Sequence, residues 1–243
     1  REYLRECAEA TFKSGGKLLV PSFALGRTQE VVYRLNQLWE DGELPAMDVF
    51  VDSPLAINVT EVYSAHPECY DREMLDTMAT DSDGDPLGFR RLRYVRKAEE
   101  SKALNTRRGP AIIIAASGMC EGGRILHHLR NHVGNPSTTV LFVGYQAQHT
   151  LGRRLLEGNE EVRVLGTPVQ VRARIERADA YSAHADRTGL LGWAEGVRER
   201  GQVSRYFLVH GEEDSAEALA EDLRAAGTAG VEVPERGSAF QLT

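Results

Sequence analysis

The sequence predicts an α/β fold organised on a largely parallel sheet, and three observations carry that expectation. Several short runs are continuously apolar, among them Ile112-Ile113-Ile114-Ala115-Ala116, Val140-Leu141-Phe142-Val143-Gly144 and Tyr206-Phe207-Leu208-Val209-His210. A strand covered on both faces reads this way. Amphipathic stretches of helical spacing alternate with these runs, as strand-helix-strand crossovers require. Hydrophobic residues make up 42% of the 243-residue chain and charged residues 27%, which excludes a disordered or collagen-like chain.

The strands are expected at Lys17–Pro21, Met47–Asp52, Ala111–Ala116, Thr138–Gly144 and Arg205–His210. The helical patterns between them cover Thr28–Glu40, Leu55–Ala65, Arg124–His132, Leu151–Glu157, Arg187–Arg200 and Glu213–Ala226. One stretch breaks the alternation. From Glu161 to Ala178, Val162, Val164, Val169, Val171, Ala173 and Ile175 recur at period two on either side of Gly166-Thr167-Pro168. That is the mark of half-buried antiparallel strands around a turn, and it suggests a boundary near Gly158–Glu161. Asp81–Pro86 reads as a loop by composition. Trp39 and Trp193 sit in helical patterns and are expected to pack.

The three cysteines, Cys7, Cys69 and Cys120, are odd in number, widely spaced and form no CxxC pair. This argues against a disulfide framework and for a reducing, cytoplasmic setting. The longest apolar run is much shorter than a bilayer span, so no membrane helix is expected. The formal net charge of −7 hides a block. Residues 1–85 carry 7 basic and 17 acidic side chains, whereas residues 86–158 carry 12 and 4. Such a block either presents a positive face to a polyanion or solvates helix faces.

Three strand ends are candidates for chemistry, because open α/β sheets bind ligands beyond the carboxyl ends of their strands. After Lys17–Pro21, Gly26 and Arg27 open a helix, where free N–H groups and a guanidinium suit a phosphate; an Arg27 ion pair is the plainer reading. After Ala111–Ala116 come Ser117-Gly118-Met119-Cys120-Glu121-Gly122-Gly123-Arg124, a glycine-rich turn that is neither GxGxxG nor a P-loop. On the next helix His128 and His132 have i,i+4 spacing, but without an HExxH acid or a third ligand they are weak metal candidates. His127 and the lone His66 and His149 read as surface or groove residues. The third candidate is a pair of segments, Tyr181-Ser182-Ala183-His184-Ala185-Asp186 and Leu208-Val209-His210-Gly211-Glu212. Each places a histidine before a helix, and His210 ends an apolar strand, positions suited to a metal ligand or proton donor. Asp52 ends a strand beside a helix start and reads as structural, with lining a cleft as the alternative. No partner marks Cys120 as a nucleophile.

Taken in order, GGKLLVPSFALGRTQE, AIIIAASGMCEGGR, TVLFVGYQAQHTLGRRLLEG, YSAHAD and FLVHGE resemble the β-CASP branch of the metallo-β-lactamase fold, the branch of metal-dependent ribonucleases. The resemblance covers nearly the whole chain, with Ala116 where many members have serine. It implies a Rossmann-like parallel-sheet β-CASP domain at 15–159. A helix or linker of the lactamase-fold domain would occupy 1–14, and the C-terminal αβ piece of that domain 160–243. It implies that His210, at motif C, ligates one metal of a two-zinc centre. His184, at motif B, would contact the scissile phosphate and protonate the leaving oxygen. Ser182 would be a second phosphate contact, and Arg27, Ser117 and Gly118 would line the substrate path. A histidine at motif C is typical of RNA-directed members, so single-stranded RNA is the expected partner, with no membrane and with room for a homodimer.

The family's HxHxDH run, its bridging aspartate and its motif A acid are not in this chain. The resemblance therefore implies the C-terminal part of a longer nuclease, expected to bind zinc weakly and to be inactive alone. Two alternatives stay open: a non-catalytic RNA clamp, against which the motif B and C histidines speak, and a Rossmann-like nucleotide-binding enzyme, against which the missing GxGxxG speaks.

Overall fold

The computed structural model describes residues 1–178 and 184–241. The chain divides into two compact units, Arg1–Ser182 and Ala183–Thr243.

In the first unit, α1 (Glu2–Ser14) leads into β1 (Lys17–Pro21), α2 (Arg27–Glu40), β2 (Asp48–Val51) and α3 (Pro54–Ala65). Then come α4 (Arg72–Thr80), β3 (Leu92–Tyr94), α5 (Ala98–Thr106), β4 (Ala111–Ala115), α6 (Ile125–His132), β5 (Thr139–Phe142) and α7 (Leu151–Leu156). A hairpin of β6 (Glu161–Val164) and β7 (Thr167–Gln170) follows, then β8 (Arg174–Arg177). Six strands form one sheet in the order β3-β2-β4-β1-β5-β8, every pair parallel.

The apolar runs have the reason the sequence suggested. Side chains alternate across the pleat, and both faces are covered. Leu18, Val20, Val49, Val51, Ile112 and Ile114 join a core with α1, α2 and α3. Leu19, Phe50, Ile113, Val140 and Phe142 join a second core with α5, α6 and α7. Local signals fix the helix starts: Ser53 caps α3 by accepting the Ala56 N–H at 3.3 Å, with Pro54 at the first helical position.

After Gly158 the period-two residues do face inward, but the turn lies earlier than Gly166-Thr167-Pro168 and the last strand is parallel rather than antiparallel. The hairpin turn is Leu165-Gly166, both at positive φ (50° and 76°), so Thr167 and Pro168 already belong to β7 and face Val164 and Arg163. Two consecutive left-handed residues form the tight turn whose twist matches antiparallel strands. The antiparallel pairing ends at Gln170, while buried and exposed positions go on alternating through Val171, Ala173 and Ile175 as β8 joins the parallel sheet beside β5.

The second unit holds α8 (Arg187–Arg200), β9 (Tyr206–Phe207), α9 (Glu213–Ala225) and β10 (Val231–Glu232). β9 and β10 pair in parallel around a small core of Ala194, Tyr206, Ala220, Leu223 and Val231. Trp39 packs against Phe89, with ring centroids 6.0 Å apart. Trp193 does not pack as its helical pattern suggested; it is 65% exposed on α8. No helix among the described residues is long and apolar enough to cross a membrane.

Leu19 is fully buried on the central strand β1. Leu19→Ala should cost about 2–5 kcal/mol in urea unfolding, with the transition slope unchanged.

Candidate functional site

The carboxyl ends of β1, β2 and β4 meet at one edge of the sheet, and their loops are tied to one another. The Ser22 N–H donates to the Ala115 carbonyl at 3.0 Å, and the Asp52 N–H to the Ile114 carbonyl at 2.8 Å. Thr28, in the first turn of α2, donates its hydroxyl to Ser22 Oγ and to the Phe23 carbonyl, at 3.1 and 2.8 Å. Arg27 opens α2 half-buried, after Gly26 at φ 77°. The Phe23 ring lies over Gly118, where a Cβ would come within 2.8 Å of it.

The loop after β4 is closed on itself. Ser117 Oγ accepts from the N–H groups of Glu121 and Gly122, at 3.1 and 3.2 Å. The Ile125 N–H reaches the Ala116 carbonyl at 3.0 Å. Gly123, at φ 74°, passes so close that a Cβ would collide with that same carbonyl, which is why glycine stands there. Gln146 donates to the Gly118 carbonyl at 2.9 Å and Gly152 N–H to the Met119 carbonyl at 3.2 Å, binding the loop to the end of β5 and the start of α7.

The centre of this edge is a residue that sequence reasoning left at the margin. Asp52 is fully buried. Its Oδ1 accepts from Arg124 Nη1 at 2.7 Å; its Oδ2 accepts from Ser101 Oγ at 2.6 Å and pairs with His128 Nε2 at 2.7 Å. His128 Nδ1 in turn faces Asn105 Oδ1 at 2.9 Å. Arg124 donates further to the carbonyls of Val95 and Arg96, at 3.0 and 2.7 Å. Burial disfavours the charged carboxylate, but the hydrogen bonds from His128, Ser101 and Arg124 outweigh it and hold Asp52 below its ordinary pKa. The motif VDSPLA carried only a capping signal; partners 49 to 76 residues away carry no local one.

The network also explains the two histidines at i,i+4. His128 is committed to Asp52 and Asn105. His132 is 9% exposed and its pKa is pulled down to about 4, by burial first and then by His128 and Lys17. Among the described residues no three His, Cys, Asp or Glu side chains gather as a metal site. Cys120 is buried, which pushes its thiol well above the ordinary range, so it lacks the thiolate a nucleophile needs.

His184 and His210 both lie in the second unit and both are exposed. His184 precedes α8, whose first turn is capped by Asp186 accepting the Gly189 N–H at 2.8 Å; the acid of YSAHAD is thus a helix cap. His210 follows β9 at φ 63°, a left-handed conformation uncommon for histidine. Cys120 and His149, at φ 59° and 67°, share that feature on the loops after β4 and β5. Ser182 lies outside the described residues.

A family model described as the Beta-Casp domain matches residues 28–155, and one described as a Zn-dependent metallo-hydrolase RNA specificity domain matches residues 168–234. Ribonuclease TTHA0252 of Thermus thermophilus is 37% identical over 227 residues, 93% of this chain and 50% of that protein. Transcription termination factor FttA of Pyrococcus abyssi is 31% identical over 214 residues, 86% of this chain and 32% of its own. An RNase J-like protein of Methanocaldococcus jannaschii is 29% identical over 212 residues, 87% and 47% respectively. The chain spans half or less of the length of these relatives.

Asp52→Asn removes the charge that Arg124 and His128 face, and it should destabilise the fold by about 3–5 kcal/mol in urea unfolding; Ser101→Ala should cost about 1 kcal/mol. His132 stays neutral in the fold down to about pH 4, whereas in the unfolded chain it takes up a proton near pH 6.5. The unfolded state binds more protons in that window, so stability is lost as pH falls through it and is unaffected above it. Relative to His132→Leu, the native chain should lose about 2 kcal/mol between pH 7.5 and 5.0.

Proposed function

The chain belongs to the β-CASP family, and on that premise we propose that it forms part of a metal-dependent phosphodiesterase hydrolysing single-stranded RNA. One observation carries the reading. The model described as a metallo-hydrolase RNA specificity domain matches the stretch that holds His184 and His210, and both histidines stand exposed on loops.

In this reading residues 15–159 form the β-CASP domain and 160–243 belong to the lactamase-fold domain. His184 contacts the scissile phosphate and delivers a proton to the leaving oxygen, a role imidazole fills near neutral pH. Ser182 is a second phosphate contact. Arg27, Ser117 and Gly118 guide the strand along the carboxyl edge of the sheet. The Ser117 oxygen already accepts two backbone N–H groups, so its contribution is the hydroxyl proton and the fixed shape of the loop. The left-handed backbone at His210 supports a positioned role, since strain of this kind persists where a site requires it.

Zinc is the metal the reading calls for, with His210 as one ligand. A catalytic zinc takes three protein ligands, and the described residues do not supply them. The remaining ligands would come from the part of the longer relatives that this chain does not span, and bound zinc there would activate water for attack on phosphorus. A reducing, cytoplasmic setting suits Cys7, Cys69 and Cys120, all free. Action at transcription termination is a second reading, favoured by the relatives that carry that name, and it would use the same chemistry on a nascent transcript.

The chain by itself should hold no stoichiometric zinc in equilibrium dialysis and should leave a labelled single-stranded RNA intact. Turnover with tightly bound zinc would sink the partial-enzyme reading. In the complete protein, His184→Ala should lower kcat about 10²–10⁴-fold at unchanged zinc content, and His210→Ala should lower the zinc content itself.

A further inference from the structure

The opposite edge of the six-stranded sheet has a character of its own. Here the strands begin and the helices of one face end, and cations gather. Arg91, just before β3, and Arg107, just before β4, converge on a single carboxylate. Arg91 Nη1 is 3.3 Å from Asp48 Oδ1, and Arg107 Nη2 pairs with Asp48 Oδ2. The Arg107 guanidinium also lies over the Phe50 ring, 5.3 Å from its centroid. Lys17, the first residue of β1, is 5% exposed and donates to the Gly109 carbonyl at 2.5 Å. Its pKa is lowered, by burial first and then by Arg107. His132 feels Lys17 in turn. The row continues through Arg130, in the last turn of α6, to Arg172, whose N–H donates to the Val133 carbonyl at 2.9 Å.

Arg90, Arg108, Arg130 and Arg172 are exposed and make no ion pair among the described residues. Basic residues at helix ends also offset the helix dipole, and that is the plainer reading. The magnitudes decide against it as a full account. The ends of α5 and α6 contribute roughly half a negative charge each, and Asp48 contributes one. The cations named exceed that sum several-fold. Of the acids at this end, Glu40, Asp41 and Glu43 follow from α2, which packs on the other face, and Arg1 pairs with Asp41 and Glu43. Glu160 and Glu161 stand on the hairpin beside Arg172, where Val171 N–H donates to the Glu160 carbonyl and Gln170 to the Glu161 carboxylate, so the surplus of cations lies at Arg90, Arg108 and Arg130.

We propose that the amino-terminal edge of the sheet, on its α5–α6 face, is a docking rail for the sugar-phosphate backbone of single-stranded RNA, separate from the carboxyl edge that holds Arg27, Ser117 and Gly118. The proposal rests on the RNA-directed reading and adds a second contact surface to it. Six strands at about 4.8 Å spacing make an edge of roughly 24 Å, long enough for several phosphates. The exposed cations are arginines, whose planar fork grips phosphate oxygens in pairs. A backbone rail needs no base readout, so it holds RNA of any sequence.

The test uses the full chain and a fluorescein-labelled 20-nucleotide oligouridine, read by anisotropy at several salt concentrations. Arg108→Glu with Arg130→Glu should weaken binding at least tenfold at 0.1 M salt. It should also flatten the slope of log K against log salt by about 1.4, two phosphate contacts at about 0.7 each. Arg108→Lys with Arg130→Lys should keep the slope, since the charges remain, and lose only a few-fold in affinity with the paired grip, and circular dichroism of both variants should match the native chain. If the reversal changes neither affinity nor slope while Arg27→Ala weakens binding, the rail is wrong and the RNA-directed reading stands. If the native chain binds no oligouridine at 0.05 M salt, both fall. Binding of polyglutamate instead of RNA, with the same dependence on Arg108 and Arg130, would make the edge a protein-docking surface and overturn the rail.

Discussion

A parallel sheet exposes an apolar surface on each side, and it exists only where both sides are covered. In the first unit that requirement dictates nearly everything else. Helices on both faces run back against the strands, so strand ends and helix starts collect at one edge and strand starts and helix ends at the other. The carboxyl edge therefore holds the loops of Ser22, Asp52 and Ser117. The amino-terminal edge holds Lys17, Asp48 and Arg107. Two surfaces of different chemistry follow from one rule of burial.

At the carboxyl edge the difficulty is polar. Loops there end inside the helix layers, and buried donors and acceptors cost free energy unless they find partners. Asp52 resolves this by serving four elements together: the end of β2, Ser101 of α5, His128 of α6 with Arg124 at its N-cap, and through Arg124 the carbonyls after β3. Breaking such a cluster costs more than any one of its bonds, because each partner would be left buried and unpaired. The loop carrying Ser117 and Gly118 inherits its rigidity from this cluster, since Arg124 is the residue on which the loop enters α6. A substrate path built on this edge would thus be shaped before any substrate arrives.

Much of the fold was legible in the sequence, and the parts that were not share a cause. β1, β2, β4 and β5 announce themselves because each is apolar on both faces. α2, α3, α6, α8 and α9 show helical periodicity, and α8 falls on the span expected, Arg187–Arg200. β3, β10, α4 and α5 have no counterpart among the expected elements, β10 being only two residues long. β3 is three residues long at the sheet edge, with exposed Arg93 at its centre. α4 has no buried residue and α5 only Ser101 and Leu104. Weak burial leaves weak patterning. Trp193 misled for the converse reason: helical spacing says which residues share a face, not what lies against that face.

The sequence by itself determined the periodicities, the order of the motif blocks and the family those blocks mark, and it singled out His184 and His210 as candidates. These are local properties, written within a turn or a few strand residues. Tertiary structure alone decided that Asp52 anchors Arg124 and His128, that Ser117 turns its oxygen on its own loop, and that cations from β1, from the segments before β3 and β4, and from α6 share one edge. The strand order β3-β2-β4-β1-β5-β8 is not the chain order. Charges that meet in space are therefore brought together by sheet pairing, which no spacing along the chain records.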